Sequence, residues 1–359
     1  MVSFVAFLFI KLYFKYFPWY TEFIELEGGN IMTDKKEKSM IQYFLLFMFS
    51  FEILFIFLGI LYNQVFHLKK FSEGYILMLL PTMSTLFAKQ RASSQNESNK
   101  FFRFYKICFA GMTIYTVISV IIPSSVFISQ ILMIAESLCS IYFLQSIGEN
   151  ILVNIGLSYN VSFKEVLKYA LLYIAIFILM VRVEFVCDYL KTGDVAQLKV
   201  PLADVKQLVG FAPLFIFTFI IFLGEEYGWG YFLFPLLEKE YGVYKAIFFL
   251  GTIEVLFHLP IDYMITKLPI TFFIGRSVML ISHTIFMCWI YKRTSTIWIA
   301  VVIHFLNNNL LGLWKLTENS FTFSTPLAVI CYVVIFGSFI FSKTLKNQRK
   351  PVAKEFSVL

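Results

Sequence analysis

Apolar runs approaching the roughly 20 residues that a membrane-spanning helix needs recur about ten times after residue 40, and this repetition constrains the fold more than any other feature. They cover 41–63, 73–88, 101–122, 126–147, 166–187, 209–237, 243–259, 270–291, 296–314 and 324–342. Backbone inside lipid must satisfy its own hydrogen bonds, so these runs predict an all-α, polytopic transmembrane helix bundle of about ten spanning helices. With 59% hydrophobic and 15% charged residues and a mean hydropathy of +0.76, the chain is excluded from the water-soluble class.

The net charge of +7 then reads as topology. Lys35, Lys36 and Lys38 precede the first run, Lys89, Arg91, Lys100, Arg103 and Lys106 follow the second, Lys292 and Arg293 follow the eighth, and the tail from Lys343 to Lys354 is basic. These positions fall on alternate sides and place both the N- and C-termini in the cytoplasm, with Lys69, Lys70, Lys191, Lys199 and Lys206 as loop exceptions. The expected environment is a lipid bilayer, with no nucleic acid as partner. A multi-pass protein of the cell membrane is implied, and the Lys-, Ile- and Phe-rich usage suggests a bacterial plasma membrane. Cys108, Cys139, Cys187, Cys288 and Cys331 lie mostly in apolar runs without metal or redox spacing and read as packing residues.

Residues 1–40 form an N-terminal extension in which Lys11 and Lys15 interrupt an aromatic run ending at Pro18, as in a helix lying on the membrane surface. Glu27-Gly28-Gly29 back-translates to a purine-rich ribosome-binding sequence just before Met32, which is an alternative expected start. Residues 41–207 are expected to be N-terminal transmembrane helices, 208–315 a polar-bearing core, and 316–359 the last helix with a basic cytoplasmic tail. No internal repeat is visible.

The core carries the chemistry. Glu225 and Glu226, then His258, then His304 and Asn308 fall in three successive apolar runs, where ionisable groups are costly and usually functional. At about 1.5 Å per residue, Glu225 and His258 each lie roughly 24 Å along the helix from the turn near Tyr241, and His304 roughly 16 Å in from Arg293. All three can therefore meet at one depth. His304 and Asn308, four apart, share a helix face. A carboxylate beside an imidazole can deprotonate water, while a second imidazole and a carboxamide can donate to an oxyanion. Alternatively, Glu225, His258 and His304 supply the ligands of a catalytic zinc. The plain structural reading is that these groups tie helices together. Glu52, Glu136, Arg182 and Glu184 lie outside this region and suit interhelical contacts, and Pro235, Pro260 and Pro269 suit kinks or helix ends.

The stretches Glu225-Glu226-Tyr227-Gly228-Trp229, Phe257-His258-Leu259-Pro260 and His304-Phe305-Leu306-Asn307-Asn308 resemble, in order and spacing, the three signature motifs of the CPBP family. That family comprises the CAAX prenyl endopeptidases and the bacterial Abi-type bacteriocin-processing and self-immunity proteins. The resemblance covers about residues 209–313 and implies a CAAX-protease-like catalytic core. It implies that Glu225 with His258 activates water and that His304 with Asn308 binds the oxyanion, or that these residues help hold a metal, with Glu226 a supporting carboxylate. Two positions depart from the family pattern: Gly230 stands where the first motif closes with Arg, and Glu254 replaces an aromatic residue four before His258. A buried carboxylate needs a partner, so Arg276 is expected to pair with Glu226 or Glu254; His283 lies seven residues beyond it. The expected activity is an intramembrane endopeptidase of metallo or glutamate type, acting on a membrane-associated or secreted peptide or a membrane-protein segment. The alternative is a non-catalytic relative conferring bacteriocin immunity or modulating a membrane sensor. A transporter also fits the helix count but lacks repeated halves.

Overall fold

The computed structural model describes residues 35–66, 74–93, 99–121, 126–193, 210–266, 270–316 and 326–346, and every regular element among them is helical. The N-terminal extension with Met32, the loop carrying Lys69 and Lys70, most of the 92–99 polar stretch, residues 194–209, Pro269 and the tail beyond Lys346 lie outside the described residues. The first half holds α1 (Lys35–Phe66), α2 (Gly74–Ser93), α3 (Lys100–Ile121), α4 (Val126–Gln145), the short α5 (Glu149–Asn154) and α6 (Phe163–Thr192). The second holds α7 (Leu214–Glu226), a π-helix (Tyr227–Leu233), α8 (Phe234–Tyr241), α9 (Val243–Thr266), α10 (Ile270–Thr294), α11 (Ile297–Leu316) and α12 (Pro326–Gly337), followed by one 3-10 turn (Ser338–Phe341) and a last helical turn, α13 (Lys343–Lys346).

Among the described residues, five segments are long and apolar enough to cross a membrane, where about ten were expected: Lys36–Leu61, Lys100–Ser119, Phe127–Gln145, Phe163–Val183 and Phe273–Thr294. Their outward faces carry Ile107, Ile114, Phe127, Leu171 and Ile274, an apolar exterior that suits lipid rather than water. Helix α2 is less apolar because Pro81, Thr82, Ser84 and Thr85 interrupt it. Pro81 removes one helical donor, and hydroxyls gather on the nearby carbonyls: Ser84 donates to Leu80 O, Thr85 to Pro81 O, and Tyr105 of α3 to Leu79 O at 2.9 Å. The helix itself stays continuous through Pro81, and these hydroxyls add side-chain hydrogen bonds to the carbonyls of residues 79–81.

The run expected over 209–237 is not one regular helix. After Glu226 the chain widens into π turns and then tightens again into α8, whose first turn holds Pro235. Glycines on this rod admit close neighbours. A Cβ at Gly224 would lie 2.6 Å from the Met78 carbonyl oxygen, and one at Gly228 would lie 2.3 Å from the Pro81 Cβ. The α2 backbone can therefore approach as closely as small-residue interfaces in membranes permit. Thr82 locks the contact by donating to the Gly224 carbonyl at 2.8 Å. Trp229 and Phe232, buried on the π turns, pack against Phe44 of α1 with ring centroids 5.7 Å away in each case. Helix α9 continues through Pro260 to Thr266.

Charge gathers at one end of the bundle. Lys239 donates to Glu37 at 2.6 Å, Lys38 pairs with Glu240 at 3.2 Å, and Lys292 pairs with Glu238, joining the start of α1 to the ends of α8 and α10. Elsewhere, Glu52 is 1% exposed and its carboxyl oxygens have no hydrogen-bond partner among the described residues, so it does not make the expected interhelical cap.

If the Gly228 approach holds α2 to the π turns, Gly228→Ala overpacks that contact and lowers stability by about 1–3 kcal/mol. Thermal unfolding of detergent-solubilised protein should show the loss, whereas an unshifted midpoint would mean that the two backbones are not in contact.

Candidate functional site

The end of α7 presents two adjacent carboxyls to different partners. Glu225 and Glu226 are 2% and 5% exposed, and successive helical residues point about 100° apart, so the pair diverges rather than competing for one partner. Glu226 turns toward α10 and α11. Its Oε2 accepts a hydrogen bond from the Tyr291 hydroxyl at 2.6 Å, and its Oε1 lies 2.5 Å from Nδ1 of His304. Glu225 turns toward both histidines: its Oε2 is 4.0 Å from Nε2 of His258 on α9 and 3.8 Å from Nε2 of His304 on α11. His304 thus faces both carboxyl groups, one with each ring nitrogen, but only the Glu226 contact is of hydrogen-bond length. The Phe222 ring lies 5.3 Å from the His304 imidazole and the Phe257 ring 5.4 Å from that of His258, which limits where each imidazole can tilt.

Glu225, Glu226, His258 and His304 therefore converge from α7, α9 and α11. Asn308 stands apart. It is exposed, one turn beyond His304, and its carboxamide oxygen accepts from Asn307 at 3.3 Å, while Asn307 itself accepts from Tyr173 at 2.6 Å. Glu254 takes a hydrogen bond from Thr284 at 2.7 Å. Arg276 makes neither expected pairing: its Nε donates to Asp262 Oδ2 at 3.1 Å. Thr284 serves Glu254, and Tyr291 with His304 serves Glu226, so both acids have partners without the guanidinium. His283 sits among the rings of Tyr173, Phe286 and Phe336, and its buried Nε2 has no hydrogen-bond partner among the described residues.

Tyr291 and Thr284 are the residues that sequence reasoning missed. Hydroxyls within apolar runs carry no pattern of their own, and the one pointer to Tyr291 was the glycine at position 230.

The donor spacing does not suit the expected zinc. Tetrahedral ligands at about 2.0–2.1 Å from the metal stand roughly 3.3 Å apart, closer than the 3.8 and 4.0 Å found here. No group of three His, Cys, Asp or Glu residues among the described residues is placed to hold a metal ion.

Fold and site together define a helical membrane protein with a buried glutamate–histidine cluster where three helices meet. Residues 207–310, which contain the whole cluster, match the family model described as Type II CAAX prenyl endopeptidase Rce1-like, so this segment is similar to that family. Neither the curated proteins nor the solved structures give a match.

The Arg276–Asp262 pair is partly exposed, at 21% and 23%. A double-mutant cycle of Arg276→Met and Asp262→Asn, read by unfolding in detergent, should return a coupling of about 0.2–1 kcal/mol. A larger coupling of Arg276 to Glu226 or Glu254 would contradict the placement.

Proposed function

We propose that the chain is an intramembrane endopeptidase in which Glu225 activates a water molecule held against His258 and His304. One observation carries the reading: a single carboxyl oxygen, Glu225 Oε2, lies 4.0 Å from one imidazole Nε2 and 3.8 Å from another. These gaps exceed a direct hydrogen bond, yet they suit one water about 2.8 Å from each atom. The match of residues 207–310 to a family model described as prenyl endopeptidase-like supports the same reaction class.

The reaction balances on these groups. Glu225 takes a proton from water, and the hydroxide attacks the peptide carbonyl carbon. Charge develops on the carbonyl oxygen, where the Nε2–H of His258 and that of His304 stabilise it, His304 acting as an imidazolium whose other proton is held at Nδ1 by Glu226. Asn308, one turn along α11 and exposed, takes no part at that oxygen and is left to bind the peptide backbone beyond it. Collapse of the tetrahedral species breaks the C–N bond, and the proton held by Glu225 passes to the leaving amine. Glu226 stays out of the bond-making steps and holds His304.

In this reading 208–315 is the catalytic core and 41–207 the helical scaffold that seals it from lipid. The ten apolar runs of the sequence cross a bacterial plasma membrane, and both chain ends face the cytoplasm. The charged collar of Glu37, Lys38, Glu238, Lys239, Glu240 and Lys292 supports a cytoplasmic position for that end of the bundle. The substrate is a membrane-associated or secreted peptide, or an unwound segment of a membrane protein, because only such chains deliver a carbonyl to a buried site.

Glu225→Gln keeps the side-chain shape and removes the base. In liposomes containing the purified protein and a pool of internally quenched peptides, cleavage should fall at least about a hundredfold with fold and abundance unchanged. An unaffected rate would favour a non-catalytic membrane binding protein. A zinc chelator is expected to leave the rate intact, and activity restored only by zinc would replace this water scheme with a metal-held one.

A further inference from the structure

We infer that Tyr291 is a positioning residue that aims His304 at Glu225 by fixing Glu226, and that Gly230 exists to make room for it. The inference rests on the hydrolytic reading above and concerns a residue outside the three motif stretches.

The geometry is a relay across three elements. The Tyr291 hydroxyl, on α10, reaches the last residue of α7 twice: it lies 2.6 Å from Glu226 Oε2 and 3.0 Å from the Glu226 backbone oxygen. It therefore holds the side chain and the main chain of the same residue, at the point where the α-helix gives way to π turns. The other oxygen of that carboxyl lies 2.5 Å from His304 Nδ1. With Nδ1 committed to Glu226, Nε2 is the nitrogen left to face Glu225, 3.8 Å away. A carboxyl anchored at one oxygen can fix an imidazole at the other, which is how an orienting acid sets the working nitrogen of a catalytic histidine.

Gly230 explains why the tyrosine can stand there. A Cβ at position 230 would fall 1.6 Å from the Tyr291 Cζ and 2.0 Å from its hydroxyl oxygen. No real atom approaches so closely, so any side chain at 230 displaces the ring. Glycine here is a packing requirement of the tyrosine, and the two positions form a unit. The closing Arg expected of the first motif could not share this space with Tyr291, and a neutral hydroxyl supplies the donor instead. Tyr291 is 4% exposed, so water does not substitute readily for its hydroxyl.

The test compares Tyr291→Phe, Tyr291→Ala, the double variant Tyr291→Ala/Gly230→Arg and Glu225→Gln, using the quenched-peptide assay in liposomes. Tyr291→Phe keeps the ring and should lower kcat about ten- to a hundredfold, the worth of one hydrogen bond to a charged group, with KM within about twofold. The double variant supplies a donor from position 230 and should recover at least about tenfold in kcat over Tyr291→Ala, a rescue that a purely structural role would not produce. A kcat of Tyr291→Phe within about twofold of the parent, or equal losses in kcat and folded yield, overturns the inference while an inactive Glu225→Gln leaves the hydrolytic reading standing. A silent Glu225→Gln overturns both.

Discussion

A carboxyl removed from water must be given partners or it destabilises everything around it, and Glu226 is where this protein meets that demand in full. One oxygen meets an imidazole nitrogen and the other a phenolic hydroxyl. The two partners come from α10 and α11, so satisfying one acid fixes the relative placement of three elements. Glu225, one residue earlier, makes no ion pair that short among the described residues. Its gaps of 3.8 and 4.0 Å to two imidazoles leave room for a small molecule between them. The contrast between neighbours is the physical basis for giving them different roles: one acid is fully committed, the other is available.

Backbone geometry makes the arrangement possible. Glycines at 224, 228 and 230 let Met78, Pro81 and Tyr291 approach the motif rod at distances that no side chain would allow. Widening into π turns just after the acidic pair belongs to the same crowding, and π segments of this kind often accompany functional sites. The hydroxyls of Thr82, Ser84, Thr85 and Tyr105 meanwhile supply hydrogen bonds to carbonyls on both sides of the α2–α7 contact. What looks from composition like a uniformly greasy protein is held together at its centre by hydroxyl and carboxyl groups.

Much of this was legible in the chain itself. Hydrophobic run length foretold an all-helical chain, because a helix is the only open structure lipid tolerates, but of the ten expected spans five among the described residues are long and apolar enough to cross a membrane. The motif acids and histidines were legible because charge at that depth is rare. Less accessible was anything decided by packing. The π turns depend on which neighbours press against Gly228 and Gly230. The pairing of Arg276 was misread because charge balance ranks all acids equally, whereas geometry offers it Asp262. Asn308, four residues from His304, shares its face by periodicity yet ends exposed beside Asn307, since a shared face does not ensure a shared depth. Tyr291 had no motif to announce it.

The central claim is that Glu225, His258 and His304 face one another across a gap that a single small molecule can bridge. Cysteine pairs placed at 225 and 258, 225 and 304, and 258 and 304, in a background lacking the native cysteines, can be tested in intact membranes with a short thiol-specific cross-linker. Convergence predicts that all three pairs join as readily as a control pair at positions 47 and 87, where the native rings stack 4.6 Å apart. Efficient joining of the control with none at the three site pairs would contradict it.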